Sequence, residues 1–110
     1  MNHETNYDTM CPKFEAAFKI LGKRWNALII RTLLGGERRF SELHATIPAL
    51  SDRMLSERLR ELETEGVVVR KVFVEIPIRI EYSLSEKGRT LKPALEEIQR
   101  WAETWHEQSN

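Results

Sequence analysis

The sequence predicts a mainly α chain carrying one small β-hairpin, an α+β arrangement, and three observations predict it. Apolar residues recur at helical spacing from Phe14 to Leu62, the period changes to two after Gly66, and helical spacing returns after Ser85. At 110 residues the chain has the length of one domain. A domain of that size buries roughly two thirds of its unfolded surface, so a partner subunit would add to its stability.

Residues 1–9, MNHETNYDT, are polar and aperiodic and are expected to form a flexible arm; residues 10–110 make the folded domain. Pro12 suits a first helical position, and Phe14, Ala17, Phe18 and Leu21 form a stripe that Gly22 can close. Trp25, Leu28, Ile29 and Leu33 make a second stripe, ended by Gly35 and Gly36. Phe40-Ser41-Glu42-Leu43 reads as a cap entering a short third helix through Ile47, which Pro48 ends. In "SDRMLSERLRELETEGVVVR" the fourth helix starts at Ser51, whose hydroxyl can accept the amide of Met54, while Asp52 favours the positive end of the helix dipole. Leu50 and Leu55 have the spacing of a hydrophobic staple, Leu55, Leu59 and Leu62 form the buried stripe, and Gly66 sits where a left-handed C-terminal cap is wanted.

The run "VVVRKVFVEIPIRIEYSLS" then alternates at Arg70, Val72 and Val74 and again at Ile78, Ile80, Tyr82 and Leu84, which predicts a hairpin with its tip near Glu75-Ile76-Pro77-Ile78. Ser85 is expected to cap the last helix, loosened in its first turns by Pro93. Leu91, Leu95, Ile98, Ala102 and Trp105 are spaced 4, 3, 4, 3, the pattern of a seam between helices. So apolar a helix at a chain end is better explained by a partner helix than by a small core already filled.

Lys plus Arg and Asp plus Glu both number 17, so net charge points to no polyanion and placement must decide. Arg53, Glu57, Arg60 and Thr64 fall opposite the leucine stripe, with Ser56 on the flank. Taken alone, that is a solvated charged face. The connection Pro48 to Leu50 is short enough for the turn of a helix-turn-helix, however, and with the hairpin the order becomes that of a winged helix-turn-helix. In that geometry the second helix of the pair enters the major groove of double-stranded DNA. Arg53 and Arg60 can each fork onto a guanine edge, Ser51 and Ser56 can meet phosphate or base, and Arg38, Arg39, Lys71 and Arg79 can hold phosphates. Glu57 either accepts from a cytosine amino group or pairs with a neighbouring arginine, and Arg58, near the core edge, reads equally as a packed stem with a salt bridge.

"CPKFEAAFKILGKRW", "RRFSELHATIPALSDRMLSERLRELETEGVVVR" and "EIPIRIEYSLSEKGRTLKPALEEIQRW" resemble the HxlR-type winged-helix regulators of bacteria from Cys11 to about Trp105. The specific run passes through Met54-Leu55-Ser56, Gly66, Pro77, Glu81-Tyr82, Gly88 and Trp101; the sequence departs at Ile78, where that family often has a second proline or a polar residue. The resemblance implies a DNA-binding transcriptional regulator of MarR-like fold, with N- and C-terminal dimerisation helices that build a homodimer on an inverted-repeat operator. It adds Met54 to the DNA-facing set and places Phe14, Phe18, Leu91, Leu95, Ile98, Trp101 and Trp105 at the dimer interface.

Cys11, before Pro12 and Lys13 at a helix start, is placed where the dipole favours a reactive thiolate; the alternative is an inert packed thiol. The resemblance implies that a cysteine at this place can sense an oxidant or electrophile. The rival is control by a small-molecule ligand. A single cysteine leaves an intersubunit disulfide, a mixed disulfide or an adduct as its chemistry. His3, His44 and His106 are scattered and no phosphate loop or nucleophile motif occurs, so no enzyme, metal or cofactor is expected. No apolar run has signal-peptide or membrane length, which predicts a cytoplasmic protein. The remaining rival is a winged helix that binds protein rather than DNA.

Overall fold

A computed structural model describes residues 4–107. Its elements run α1 (Pro12–Leu21), α2 (Asn26–Leu33), α3 (Phe40–Thr46), α4 (Asp52–Thr64), β1 (Val68–Phe73), β2 (Arg79–Leu84), α5 (Glu86–Arg89) and α6 (Lys92–Trp105). The part of the expected arm at residues 1–3 lies outside the described residues. From Glu4 to Met10 the chain is irregular, with one local bond from the Asp8 amide to Asn6 Oδ1.

The core gathers Ile29, Ile30 and Leu33 of α2, Leu43 of α3, the Leu55-Leu59-Leu62 stripe of α4, and Val67, Val68 and Leu84 at the root of the hairpin. Ile47 and Leu50 in the α3–α4 turn close it from one side, and Leu95 of α6 from another. The strands pair antiparallel from Val68↔Leu84 to Phe73↔Arg79. Arg38 adds one rung on the free edge of β2: its amide donates to the Tyr82 carbonyl at 2.9 Å and its carbonyl accepts from the Tyr82 amide at 2.8 Å.

Three expectations change. The buried positions of α2 are Asn26, Ile29, Ile30 and Leu33, so the helix is rolled away from the stripe drawn through Trp25 and Leu28, and Leu28 is exposed. Asn26 belongs to the buried face because its Nδ2 donates to the Ile20 carbonyl at 2.8 Å, tying the end of α1 to the start of α2. The third helix starts earlier than Ser41: Arg39 is its N-cap, and Glu42 reaches back to accept the Arg39 amide at 2.8 Å. Finally, Ser85 caps only the short α5, accepting the Gly88 amide at 3.1 Å, and a separate helix begins after Leu91. Pro93 therefore lies in the first turn of α6, where its missing N–H is harmless, rather than bending a longer helix.

Leu91 and Leu95 follow from that break. Leu95 is buried in the chain's own core and Leu91, partly buried, packs against it, so both already serve the fold of the single chain. Ile98, Trp101 and Trp105 stay on the outer side of α6, and α1 buries none of its residues.

Gly66 and Gly88 make separable demands on the fold. Gly66 has φ +75° with open space where a Cβ would stand, so alanine there should lose about 1 kcal/mol from conformation alone. A Cβ at Gly88 would sit 2.5 Å from the Val67 carbonyl oxygen, so Gly88→Ala must push α5 from the hairpin and should lose more, about 2–3 kcal/mol. Urea titrations check the order: both midpoints fall, Gly88→Ala further, with unchanged slopes. Equal midpoints would contradict the packing described for α5.

Candidate nucleic-acid interface

Ser51 caps α4, its Oγ accepting the Met54 amide at 3.1 Å. Three completely or nearly buried leucines then fix the rotation of the helix. Each is worth about 1.5–3 kcal/mol, whereas an exposed ion pair along a helix is worth about 0.3–0.5. The leucines, not the charges, decide which residues face outward.

Those residues are Arg53, Ser56 and Arg60, all exposed, with the Arg53 side chain 91% accessible. Arg53 Nε stands 3.5 Å from Glu57 Oε1, the pairing along the helix that is one of the two readings of Glu57. Met54, expected in the DNA-facing set, is half-buried against the core, and its amide is used by the cap. Ser51 has given the cap only a lone pair, so its hydroxyl proton remains available to an acceptor.

Beside α4, Ser56, Arg60 and Glu63 share a cleft with Arg70 and Tyr82 of the hairpin. Arg70, not among the residues expected to contact DNA, lines this cleft because it lies opposite Tyr82 in the strand register, a pairing that sequence spacing alone does not fix. Arg39 is exposed at the start of α3. The Arg38 side chain folds onto its own loop, Nη1 donating to the Glu37 carbonyl at 2.9 Å.

Arg79 of the hairpin is engaged. Arg79 pairs with Glu75 at 3.1 Å and with Glu81, and its guanidinium lies 3.8 Å from the centre of the Phe73 ring. Glu75 chiefly raises the Arg79 pKa, and Arg79 in turn holds the Glu75 carboxyl below its ordinary value. Arg79, expected to hold a phosphate, is thus engaged in a local network. The ammonium of Lys71 lies 5.2 Å from the same ring centre and remains exposed.

Arg58 is structural. Its Nε donates to the Arg24 carbonyl at 3.0 Å and its Nη1 to Glu61 at 2.9 Å. It thereby anchors the turn in which Trp25 takes a left-handed φ of +82°. Lys23 Nζ meets the other Glu61 oxygen at 3.0 Å. That bond is the main reason the Glu61 carboxyl titrates below its ordinary value, with Arg58 helping and burial opposing.

Cys11 is exposed and is the N-cap of α1, its side chain making no cap bond. Phe14 and Phe18 follow on α1, their ring centres 4.9 Å apart, both exposed. Behind them a groove between α1 and α4 is lined by Phe18, Ile20, Asn26 and Leu62, with Lys19 and Arg60 among its polar residues. Among the described residues no helix is long and apolar enough to cross a membrane.

Residues 20–110 match the profile of the HxlR-like helix-turn-helix family. The HTH-type transcriptional regulator YvaP of Bacillus subtilis is 59% identical over 100 residues, covering 91% of this chain and 93% of YvaP. The reduced form of the transcriptional regulator YodB of B. subtilis superimposes with TM-score 0.79 at 48% identity, covering 93% of this chain and 100% of that one. YodB has also been solved diamide-treated (TM-score 0.74, 49% identity, covering 91% and 99%) and quinone-bound (TM-score 0.76, 48% identity, covering 87% and 100%).

Two substitutions separate scaffold from surface. Arg58→Ala should destabilise the fold by about 1–2 kcal/mol through the lost Arg24 bond, while Arg53→Ala should stay within about 0.5 kcal/mol of the parent in urea. Because the folded-state pKa of Glu61 is lowered, its stabilisation is present above the unfolded value of about 4.3 and is lost as pH falls through the folded one. Its side chain is 39% exposed, so solvent screening keeps the effect below about 1 kcal/mol. Glu61→Gln should flatten that part of the acid limb of a stability-versus-pH curve; an unchanged limb would refute the Lys23 pairing.

Proposed function

This chain belongs to the HxlR-like helix-turn-helix family of transcriptional regulators, and we propose that it works as a cytoplasmic homodimer that reads an inverted-repeat operator with the outward face of α4. The observation that carries this reading is the clean division of α4: leucines buried on one side, Arg53, Ser56 and Arg60 exposed on the other. Arg53 and Arg60 carry rigid forks matched to the guanine O6 and N7 acceptors of the major groove. Ser51 donates its remaining hydroxyl proton to phosphate, and Arg38, Arg39, Arg70 and Lys71 supply positive charge around that contact. The Arg53–Glu57 pair, exposed and long at 3.5 Å, opens at little expense when a base edge arrives.

Dimerisation is the partner reading. A helix of ten residues with none buried is marginal on its own, and α1 with Phe14 and Phe18 gains a reason to exist when a second copy covers it. Ile98, Trp101 and Trp105 on α6 extend that apolar surface. Two recognition helices then sit about 34 Å apart, one helical turn of B-DNA.

Control falls to Cys11. Exposed at the start of the dimerising helix, it can add to a quinone ring, forming an S–C bond as the quinone becomes a hydroquinone. Alternatively, two Cys11 thiols form a disulfide while the diazene bond of diamide takes their two hydrogens and becomes a hydrazine. The quinone-bound and diamide-treated forms of YodB support this assignment by likeness. A small-molecule effector is a second reading, favoured by one observation: Asn26 Oδ1 in the α1–α4 groove is buried without a partner among the described residues.

Fluorescence anisotropy on a duplex selected from a random-sequence library tests the docking. Arg53→Ala or Arg60→Ala should weaken specific binding by about 1–3 kcal/mol and relax discrimination; Lys71→Ala should weaken all duplexes alike and lower the salt slope by about one. Unchanged affinity in all three would remove α4 from the interface. Trp101→Glu or Ile98→Glu should dissociate the dimer in sedimentation, and an intact dimer in both would move the interface elsewhere. Cys11→Ser should bind as the reduced parent does and lose its response to diamide and quinone. A serine variant that still responds, without any thiol modified, transfers control to the groove.

A further inference from the structure

The groove between α1 and α4 holds the one buried side-chain polar atom that the described residues leave without a partner. Asn26 is 1% exposed, and its Nδ2 donates to the Ile20 carbonyl at 2.8 Å. That bond fixes the amide, because turning it over would bring two oxygens face to face. Oδ1 is therefore held as an acceptor to which nothing donates. Around it Ala16, Phe18, Ile20 and Leu62 give an apolar wall to a volume of about 850 Å³, a size that takes a small organic ligand. The charges are uneven. Of the five ionised side chains on the groove, Lys23 and Glu61 pair with each other at 3.0 Å. That leaves Lys19 and Arg60, which make no ion pair among the described residues, against the carboxylate of Glu65. Arg60 stands between two hollows, since it also lines the cleft with Ser56 and Arg70 beside the hairpin.

We propose that the groove binds a small organic acid whose apolar body lies on Phe18 and Leu62, whose O–H or N–H donates to Asn26 Oδ1, and whose carboxylate draws the Arg60 guanidinium away from DNA. This takes the small-molecule reading of control as its basis, together with the docking of α4 on DNA. Chemistry selects the class. Only a donor satisfies Oδ1, so a hydrocarbon or an unsubstituted fatty acid leaves it unpaired. The surplus of cation favours an anion, and a planar guanidinium takes a carboxylate with two parallel bonds. A cationic ligand would meet Lys19 and Arg60 instead. Arg60 has one guanidinium, and a fork closed on a carboxylate is not open to guanine O6 and N7. Ligand and DNA thus compete directly for one side chain, and α4 need not move. By linkage, DNA must weaken binding of the acid by the same factor as the acid weakens binding of DNA. The acid should therefore copy Arg60→Ala at one base position in each half-site and leave the base facing Arg53 alone.

The test uses the reduced full chain, a duplex selected from a random-sequence library, and three probes of one shape: 3-(4-hydroxyphenyl)propionate, its methyl ester, and 3-(4-methoxyphenyl)propionate. None carries an electrophile, so Cys11 takes no part. Calorimetry on the protein alone should show the hydroxy acid binding about tenfold more tightly than either analogue, and Lys19→Gln weakening it several-fold. At saturation the acid should lower duplex affinity about tenfold, the order of one lost arginine–guanine fork. It should relax discrimination only at the position that Arg60→Ala relaxes, and the remaining duplex binding of Arg60→Ala should not respond to it. Three probes of equal affinity overturn the assigned chemistry, and so does failure of all three to bind, the result expected if a second copy fills the groove. An acid that binds yet leaves duplex affinity unchanged, or relaxes every position alike, overturns the capture of Arg60. Dissociation of the dimer at saturating acid overturns it too, by placing the action at Phe14 and Phe18. Arg60→Ala with parental duplex affinity fails the docking of α4 instead, and takes the competition with it even where the acid binds the free protein.

Discussion

The burial of Leu55, Leu59 and Leu62 is the constraint on which everything else hangs. A helix with one apolar stripe can roll by only a few tens of degrees before a leucine meets water, and each exposure is worth more than all the surface pairs of α4 combined. The stripe therefore orients Arg53, Ser56 and Arg60 without touching them. Electrostatics then works on a face that packing has already chosen.

The second constraint lies at the other end of the helix. The turn from α1 to α2 passes through Trp25 in a left-handed conformation that an aromatic residue adopts only when its surroundings impose it. Asn26 bonding to the Ile20 carbonyl, and Arg58 of α4 bonding to the Arg24 carbonyl, are those surroundings. The two bonds tie the end of α1 to the start of α2 and the turn between them to α4.

The recognition helix was legible in the sequence because its signals are local: a cap at Ser51, a stripe at helical spacing, and Gly66 at a left-handed stop. The hairpin and its tip at Ile76-Pro77 were legible for the same reason, a change of period bounded by a proline. What escaped was decided by residues distant in sequence. Asn26 is polar and so was missed as a core position, although it completes the i, i+3, i+4, i+7 pattern with Ile29, Ile30 and Leu33. Leu95 looked like part of a seam because spacing cannot tell which flank of a broad stripe the chain's own core will claim. Arg79 looked free because its partners Glu75 and Glu81 and the Phe73 ring meet only once the strands pair. Apolar periodicity suggests a kink at Pro93 because the break just before it leaves no mark in that spacing.

The central claim is that two copies of the α4 outward face lie in successive major grooves on one side of a duplex. Methylation interference tests it most directly, because a methyl group on guanine N7 occupies the acceptor that an arginine fork needs. On a duplex selected by the parent protein, interference should fall in two symmetric patches about one helical turn apart, and within each patch it should fade in Arg53→Ala or Arg60→Ala. Interference confined to minor-groove adenine N3, or a single patch without symmetry, would contradict the account.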